Sequence, residues 1–332
     1  MLIFMCTPQF AVPTLRRLAA SDHQTLAVVT NPDRPQGRGR QPASPPVKSI
    51  ALELGLEVMQ PASIKEPEFA DQLQALRPDL FAVVAFSILP RRLLRIPPLG
   101  SVNLHPSLLP AYRGAAPIIW AVINGETETG ITTFRLNPRV DAGDLLLQRR
   151  VAIDPDETAG ELDARLREQG ADMMLETIDR LEAGNIEPLP QDDACVSRAP
   201  KLTREDGHID WNQPAAAIRN RIRGTNPVPG AFTEWNGKPL KIHRARLCET
   251  DLDADLDGLA GTNQVAVNVE NTTTNDLVVL SLDEDLVTPG TFIGTVDTEF
   301  GVTAIADGLI QAQATEAIVS TFSDELDGVG IG

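Results

Sequence analysis

The sequence predicts an α/β fold: a doubly wound, mainly parallel sheet followed by a small β-rich domain. Three observations predict it. Short apolar runs alternate with helical patterns through the first half, a polar stretch with Pro188, Pro190 and Pro200 interrupts them, and beyond Ile209 short strand-like runs are separated by turn residues. At 332 residues the chain also exceeds what one hydrophobic core usually serves, so two domains are expected.

Leu2 to Cys6, Leu26 to Val29 and Leu80 to Phe86 read as buried strands because they are nearly continuous in apolar residues, and Ser101 to His105, within an apolar-leaning stretch from Gly100 to Leu104, reads as a fourth. Phe10 to Ala20, Val47 to Gly55, Glu66 to Arg77 and Ala115 to Gly125 carry helical spacing, and Pro117 suits the first turn of the last. Thr129 to Leu136 and Leu145 to Ile153 read as two further strands joined through Asn137 to Asp144. Thr158 to Ala183 is the long helix, with Leu162, Leu166, Met173, Ile178 and Leu181 near helical spacing and Gly184 as its stop. Met173 and Met174 read as core filling. After a short helix around Ala215 to Arg223, the runs Ala231 to Trp235, Leu240 to Ala245, Gln264 to Val269, Leu277 to Leu282 and Phe292 to Val296 suit a small barrel or sandwich. The expected division is an α/β domain over 1–186, a linker over 187–208 and a β-rich domain over 209–332.

Charge is distributed unevenly. All 29 Lys and Arg lie at or before Arg246, whereas 17 of the 46 Asp and Glu follow it, so the first 246 residues carry no net charge and the whole −17 belongs to the remainder. Phosphate backbones repel such a segment, which is therefore not expected to bind nucleic acid by itself. Its Asp251 to Asp257 run reads as a solvated loop, because it lacks the Gly and distal Glu of a calcium loop. Cys6, Cys195 and Cys248 have no disulfide or zinc spacing, His23, His105, His208 and His243 no ligand spacing, and no metal is expected. No segment approaches 18 consecutive apolar residues and Met1 to Cys6 is too short for a signal-peptide core, so the expectation is a soluble, cytoplasmic monomer without a membrane partner.

Chemistry concentrates between Ser101 and Pro117. Asn103 and His105 sit two apart at a strand's carboxyl end, where a pleated strand points both to one side and open α/β sheets bind ligands. Asn offers an N–H to a developing oxyanion, His exchanges a proton, and an Asp within reach favours the imidazolium; Asp141, in Val140 to Asp144, is the candidate. That set suits acyl transfer to an external nucleophile. No Ser or Cys pairs with this His, and Ser107 lies in a proline-bounded turn, so a covalent acyl-enzyme is disfavoured. Spacing alone supports a turn-capping role for Asn103 and His105 about as well.

Two basic segments are candidates for nucleic-acid contact. Asn31 to Lys48, rich in cations, Gly and Pro, reads as a mobile, extended surface loop; it lacks the Lys-Ser/Thr ending and the GxGxxG spacing of phosphate-binding loops. Arg219, Arg221 and Arg223 would spread around a helix at about 200° between successive members, as solvated charges rather than one face. Trp120, Trp211 and Trp235 read as core or domain-junction residues.

Asn103-Leu104-His105-Pro106-Ser107-Leu108-Leu109-Pro110, followed by Tyr112-Arg113-Gly114-Ala115-Ala116-Pro117, resembles the signature of formyltransferases that use 10-formyltetrahydrofolate. Phe4 to Pro13, the loop Thr30 to Arg40 with Pro45-Pro46-Val47-Lys48, and Ala199 to Trp211 resemble the members of that family that act on methionyl-tRNA. The similarity runs over roughly residues 1–247. It implies a Rossmann-like catalytic domain, an open OB-like barrel, and sequential transfer of formyl from 10-formyltetrahydrofolate to the α-amino group of methionyl-initiator tRNA, for translation initiation. It further implies Asn103, a protonated His105 and Asp141 as the catalytic set, and Phe86, Ser87, Ser107, Leu108, Leu109 and Pro110 as contacts to the folate, released as tetrahydrofolate. The basic loop implies Arg34, Arg38, Arg40 and Lys48 as tRNA contacts.

The chain departs from the family's pattern in four places. Cys6 stands where the family usually has Gly, Ala85 to Pro90 is one residue short, and Pro106 replaces a frequent Gly. About 40 residues separate Glu249 from the late strand start Pro289-Gly290-Thr291-Phe292, and the usual basic closing segment is missing after Ala312. Three alternatives therefore stand beside the main reading: an amino sugar nucleotide as acceptor, water as acceptor, and folate binding without transfer. Ala111 to Gly114, Asn124 to Gly130 and Pro227 to Gly230 also occur in relatives that formylate amino sugars.

Overall fold

Leu2–Cys6 (β1), Thr25–Val29 (β2), Val58–Met59 (β5), Leu80–Val84 (β6) and Ser101–His105 (β7) form the parallel part of one sheet. The computed structural model describes the backbone of residues 1–36, 41–235 and 238–249 and of the strand segments 263–270, 277–284, 292–298 and 310–312. It divides into two compact units: Met1–Ile118, Glu128–Ile153 and Glu161–Lys201 make the first, and Ile119–Thr127, Asp154–Gly160 and Leu202–Gly332 the second.

In the first unit, Glu128–Arg135 (β9) runs antiparallel to β7 and Leu145–Ala152 (β10) antiparallel to β9, giving the sheet order β10-β9-β7-β6-β1-β2-β5. The expected doubly wound, mainly parallel sheet is thus present. Helices Val12–Ala19 (α1), Pro46–Glu53 (α2), Pro67–Ala75 (α3), Arg91–Leu94 (α4), Pro117–Ile123 (α5) and Ala159–Glu182 (α6) alternate with the strands or follow them. Alternate strand residues share a face, so Ile3, Met5, Phe81 and Val83 meet Phe69, Ala70 and Leu73 of α3 in one buried cluster. Met173 and Met174 are buried in α6, as core filling.

Several details differ from the sequence reading. The strand expected to reach Phe86 ends at Val84, because Ala85 takes a positive φ of 48° that no strand accommodates. The basic loop is not wholly extended: Arg34–Gln36 (β3) and Gln41–Ala43 (β4) pair as a short antiparallel ribbon, and Pro46 opens α2 before Lys48. Part of the stretch read as a linker is tied to the first unit. Leu189 bridges to Leu145, and Arg198–Ala199 (β11) pairs in parallel with Arg113–Gly114 (β8).

In the second unit, Ala215–Thr225 (α7) buries Ile218 and Ile222, and Ala231–Trp235 (β12) pairs with Lys238–Ile242 (β13). Trp211 is buried, its Nε1–H donated to Thr233 Oγ1 at 3.0 Å. The three helix arginines are neither a patch nor free charges. Arg219 pairs with Asp156, Arg221 donates to the Asp206 carbonyl at 2.8 Å, and buried Arg223 donates to Asn220 Oδ1 at 2.8 Å and the Glu157 carbonyl at 3.1 Å. Arg244–Glu249 (β14), Asn263–Glu270 (β15), Leu277–Glu284 (β16), Phe292–Thr298 (β17) and Ile310–Ala312 (β18) follow as one antiparallel sheet in consecutive order. Asp251 to Asp257, Arg38, Arg40 and the side chain of Trp235 lie outside the described residues.

Candidate active site

β7 places Asn103 and His105 at the carboxyl edge of the sheet, between the neighbours β6 and β9. Asn103 is half-buried, and its amide makes no side-chain hydrogen bond among the described residues. His105 is buried edge-on against Phe134, with ring centroids 6.4 Å apart. Its Nε2 lies 2.9 Å from the Tyr112 carbonyl oxygen. A carbonyl only accepts, so Nε2 carries the proton and a neutral imidazole leaves its lone pair on Nδ1.

Asp141 arrives from the β9–β10 connection, as the spacing predicts. Its Oδ2 lies 3.9 Å from His105 Nδ1, and it accepts the Gly114 backbone N–H at 2.9 Å. The distance to Nδ1 is too long for a hydrogen bond, so it leaves Nδ1 open to a substrate proton while keeping the carboxylate's charge near. Burial pushes the His105 imidazole below its ordinary value; Asp141 and the Tyr112 carbonyl offset this only in part. The expected protonated His105 is therefore disfavoured in the resting site, because charging it there forfeits solvation. An imidazolium suits a passing intermediate better.

The turn that carries Asp141 is held from several sides. Asp141 has a φ of 48°, a conformation Asp tolerates better than most residues. Gly143 is required two residues on, because a Cβ there would collide with the Arg135 carbonyl oxygen. Asn137 donates its Nδ2–H to the Ala142 carbonyl at 3.1 Å and accepts the Arg139 N–H at 2.8 Å. Gln191 then clamps the turn: its Nε2 donates to the Asp141 carbonyl at 2.9 Å and the Gly143 carbonyl at 2.7 Å, while its Oε1 accepts from Arg113 at 2.7 and 3.0 Å. Nothing local in the sequence marked Gln191, which sits between prolines in the presumed linker.

The proposed folate residues divide into two groups. Ser107 and Leu109 are buried, and the Ser107 hydroxyl is donated to the Ala111 carbonyl at 2.7 Å. Thr132 Oγ1 donates to the Ser107 carbonyl at 2.6 Å and accepts the Leu109 N–H at 3.2 Å, and Gln148 donates to the Leu109 carbonyl at 2.9 Å. These polar groups lock the turn and have little capacity left for a ligand. Leu108, Pro110 and Phe86 are half-buried and Ser87 is exposed beside Ile88, which is 68% exposed. Phe86 to Ile88 follow β6, the strand beside β7, and Phe86 packs against the cluster of Ile3, Met5 and Phe81, whereas Leu108 and Pro110 belong to the turn after β7.

Of the expected nucleic-acid residues, Arg34 and Lys48 are described. Arg34 is exposed, whereas Lys48 is engaged with Asp33, its Nζ 2.7 Å from Oδ2. Gln60, more than Lys48, holds the Asp33 carboxyl below the usual range. Among the described residues, no three His, Cys, Asp or Glu gather as a metal-ligand set, and no helix is long and apolar enough to cross a membrane.

A doubly wound sheet with an amide, an imidazole and a carboxylate near its carboxyl edge, and no nucleophile paired to the imidazole among the described residues, suits the class of enzymes that transfer an acyl group to an external acceptor. The chain belongs to the formyl transferase family: residues 1–178 match the formyl transferase model and residues 201–313 the formyl transferase C-terminal domain. The second match carries the family likeness well past residue 247, into the acidic segment. A methionyl-tRNA formyltransferase of Moorella thermoacetica is 51% identical over 249 residues, covering 75% of this chain and 80% of the relative. One of Geobacter metallireducens is 52% identical over 244 residues, 73% of this chain and 78% of the relative. Among solved structures, the N-formyltransferase of Helicobacter canadensis in complex with folinic acid and dTDP-3-aminofucose has a TM-score of 0.60 at 19% identity, covering 80% of this chain and 94% of that one. HypX of Aquifex aeolicus in complex with tetrahydrofolic acid has a TM-score of 0.53 at 17% identity, covering 84% and 45%. These last two likenesses concern the fold.

Proposed function

We propose that this chain moves the formyl group of 10-formyltetrahydrofolate to the α-amino group of methionine on initiator tRNA. The identity of 51–52% over about three quarters of the chain to enzymes bearing that name carries the choice of acceptor. Likeness to sugar formyltransferases is at the level of fold and does not compete with it. The folate is the formyl donor, contacted by Phe86, Ser87, Leu108 and Pro110, with Ser107 and Leu109 shaping the turn that carries the last two. Arg34, Arg38, Arg40 and Lys48 belong to the tRNA side.

The amine attacks the formyl carbon, and the Asn103 amide donates to the oxyanion that forms. His105 Nδ1 accepts the proton the amine loses, becoming an imidazolium beside Asp141. As the bond from the formyl carbon to N10 breaks, that proton passes to N10, so tetrahydrofolate leaves neutral at that nitrogen and His105 is restored. The transfer is direct, since among the described residues no nucleophilic side chain pairs with His105 to form an acyl-enzyme.

Purified protein given 10-formyltetrahydrofolate with methionyl-initiator tRNA, an amino sugar nucleotide or water alone separates the acceptors. Formylmethionyl-tRNA as the dominant product is expected; faster formylation of the sugar, or hydrolysis only, would refute the assignment. Asn103→Ala and His105→Ala should each lower kcat at least about 100-fold, on the scale of oxyanion-donor deletions. Near-full activity in both would reject the mechanism.

A further inference from the structure

Three contacts that shape the reacting centre start from Arg113 and its two neighbours in the chain. The Tyr112 carbonyl accepts the His105 Nε2–H at 2.9 Å, and the Gly114 N–H is donated to the Asp141 carboxylate at 2.9 Å. Between them, the Arg113 guanidinium donates to Gln191 Oε1 through Nε at 3.0 Å and through a terminal nitrogen at 2.7 Å.

This short run is itself held by β11. Tyr112 and Arg113 donate their N–H groups to the hydroxyl and the carbonyl of Ser197 at 2.8 and 2.9 Å, and Ala115 donates to the Ala199 carbonyl at 2.8 Å. Tyr112 and Gly114 take positive φ values of 60° and 133°, and a Cβ on Gly114 would lie 2.4 Å from the Ala199 carbonyl oxygen, so glycine is needed there.

The guanidinium decides which way the Gln191 amide faces. The two ends of an amide have nearly the same shape, but Nε2 here donates to the Asp141 and Gly143 carbonyls at 2.9 and 2.7 Å, and a turned amide would set oxygen against oxygen. A guanidinium only donates, so beside Arg113 only the oxygen end is satisfied. Arg113 also lines a cleft of about 510 Å³ with Arg139, Val140 and Arg198. Its guanidinium is nevertheless engaged within the protein: all three nitrogens donate to Gln191 or Asp193, and the side chain is only 12% exposed. Burying a charge that far costs solvation, which sets this contact apart from an ordinary surface ion pair.

We propose that Arg113 is a positioning residue for formyl transfer: its side chain fixes the Gln191 amide that holds the Asp141 turn, while the main chain on either side of it holds His105 and Asp141 directly. The inference rests on His105 and Asp141 being the reacting pair. An Asp141 that drifts from His105 supports less well the imidazolium formed when the amine gives up its proton, so the loss falls on that step and not on binding.

Arg113→Lys keeps the charge but loses the planar fork. In the full chain it should lower kcat about tenfold, the effect of a group set slightly out of place, with KM for 10-formyltetrahydrofolate and for methionyl-tRNA changed by less than about twofold. The acid limb of kcat/KM should move to lower pH, since a more distant Asp141 raises the imidazole less. With Gln191→Glu already in place, Arg113→Lys should lower kcat little further, because both act on one turn. Arg113→Ala should regain kcat with added methylguanidinium and not with methylammonium, a response that a misfolded variant would not give. A raised KM for methionyl-tRNA at unchanged kcat would make Arg113 a ligand contact of the cleft and overturn the proposal; losses that multiply across the two variants would do the same. His105→Ala measured alongside separates this role from the reading it rests on. Near-full activity there rejects the site, whereas an inactive His105→Ala beside an unimpaired Arg113→Lys rejects only the role of Arg113.

Discussion

At the scale of single residues, His105 is the group whose protonation state the fold decides. Burial lowers its affinity for a proton, and Asp141 restores only part of it. A base must be unprotonated to act, so kcat/KM should hold as the pH falls below the ordinary histidine value of about 6.5 and decline only through the lower value of the folded site. Asp141→Asn removes the attraction that raises the imidazole, so the acid limb should move to still lower pH while the maximal rate falls; a limb that stays in place or moves up would contradict this electrostatic role. The same sign governs stability. The unfolded chain takes up the proton more readily, so this histidine's contribution is complete above about pH 6.5 and is lost as the pH falls toward the folded value. Gln191 is a positioning residue of another kind, because its amide must donate to two carbonyls of the Asp141 turn. Gln191→Glu keeps size but loses those donors, and should lower kcat about 10- to 100-fold with little change in KM for the folate, the cost of a catalytic group set slightly out of place. Retention of wild-type kcat by this variant would show that the turn holds itself.

At the scale of elements, the basic ribbon of β3 and β4 raises a question of cause. Lys48 was expected to touch tRNA, yet its Nζ binds Asp33 at the ribbon's base, beside Gln60. If the pair anchors the ribbon, Asp33→Ala and Lys48→Ala should raise KM for methionyl-tRNA by similar factors, and the double variant should be no worse than either single change. If Lys48 touches phosphate directly, freeing it by Asp33→Ala would lower KM instead. Which elements were legible from sequence follows from the same local physics. Strands buried on both faces, such as Leu2–Cys6 and Leu80–Val84, read clearly because every position is apolar. The short β5 and α4 were missed because two and four residues carry no periodicity, and the paired segment through Ala199 was missed because backbone pairing to β8 leaves no hydrophobic pattern. Asn103, His105 and Asp141 could be picked out as candidates from the motifs they sit in, and His105 and Asp141 do lie near each other, 3.9 Å apart. The clamp by Gln191 and the cleft beside Arg198 could not, since each joins residues about 50 or more apart in the chain.

At the scale of the whole molecule, the family's C-terminal domain extends to residue 313 through a segment that contains no Lys or Arg. An enzyme whose partner is a polyanion thus carries 17 acids beyond Arg246. Deleting everything after residue 247 is a poor way to learn what they do, because Arg244 to Glu249 pairs residue by residue with Asn263 to Asn268, and the cut would sever that sheet. Replacing charge without removing chain is the sounder experiment. Asp251, Asp253, Asp255 and Asp257 alternate with other residues in a single run, so changing all four to Asn keeps size while removing four negative charges. Like charges on enzyme and tRNA slow their encounter most when screening is weak, at a Debye length of about 30 Å in 0.01 M salt against about 3 Å at 1 M. The fourfold variant should therefore show a higher kcat/KM for methionyl-tRNA than the unaltered chain at low salt, and the two should converge as salt rises. Its rate with saturating tRNA should be unchanged, since the acids act on encounter and not on the transfer of the formyl group. An advantage that persisted at 1 M salt would mean that these residues act by contact or by shape rather than by their field.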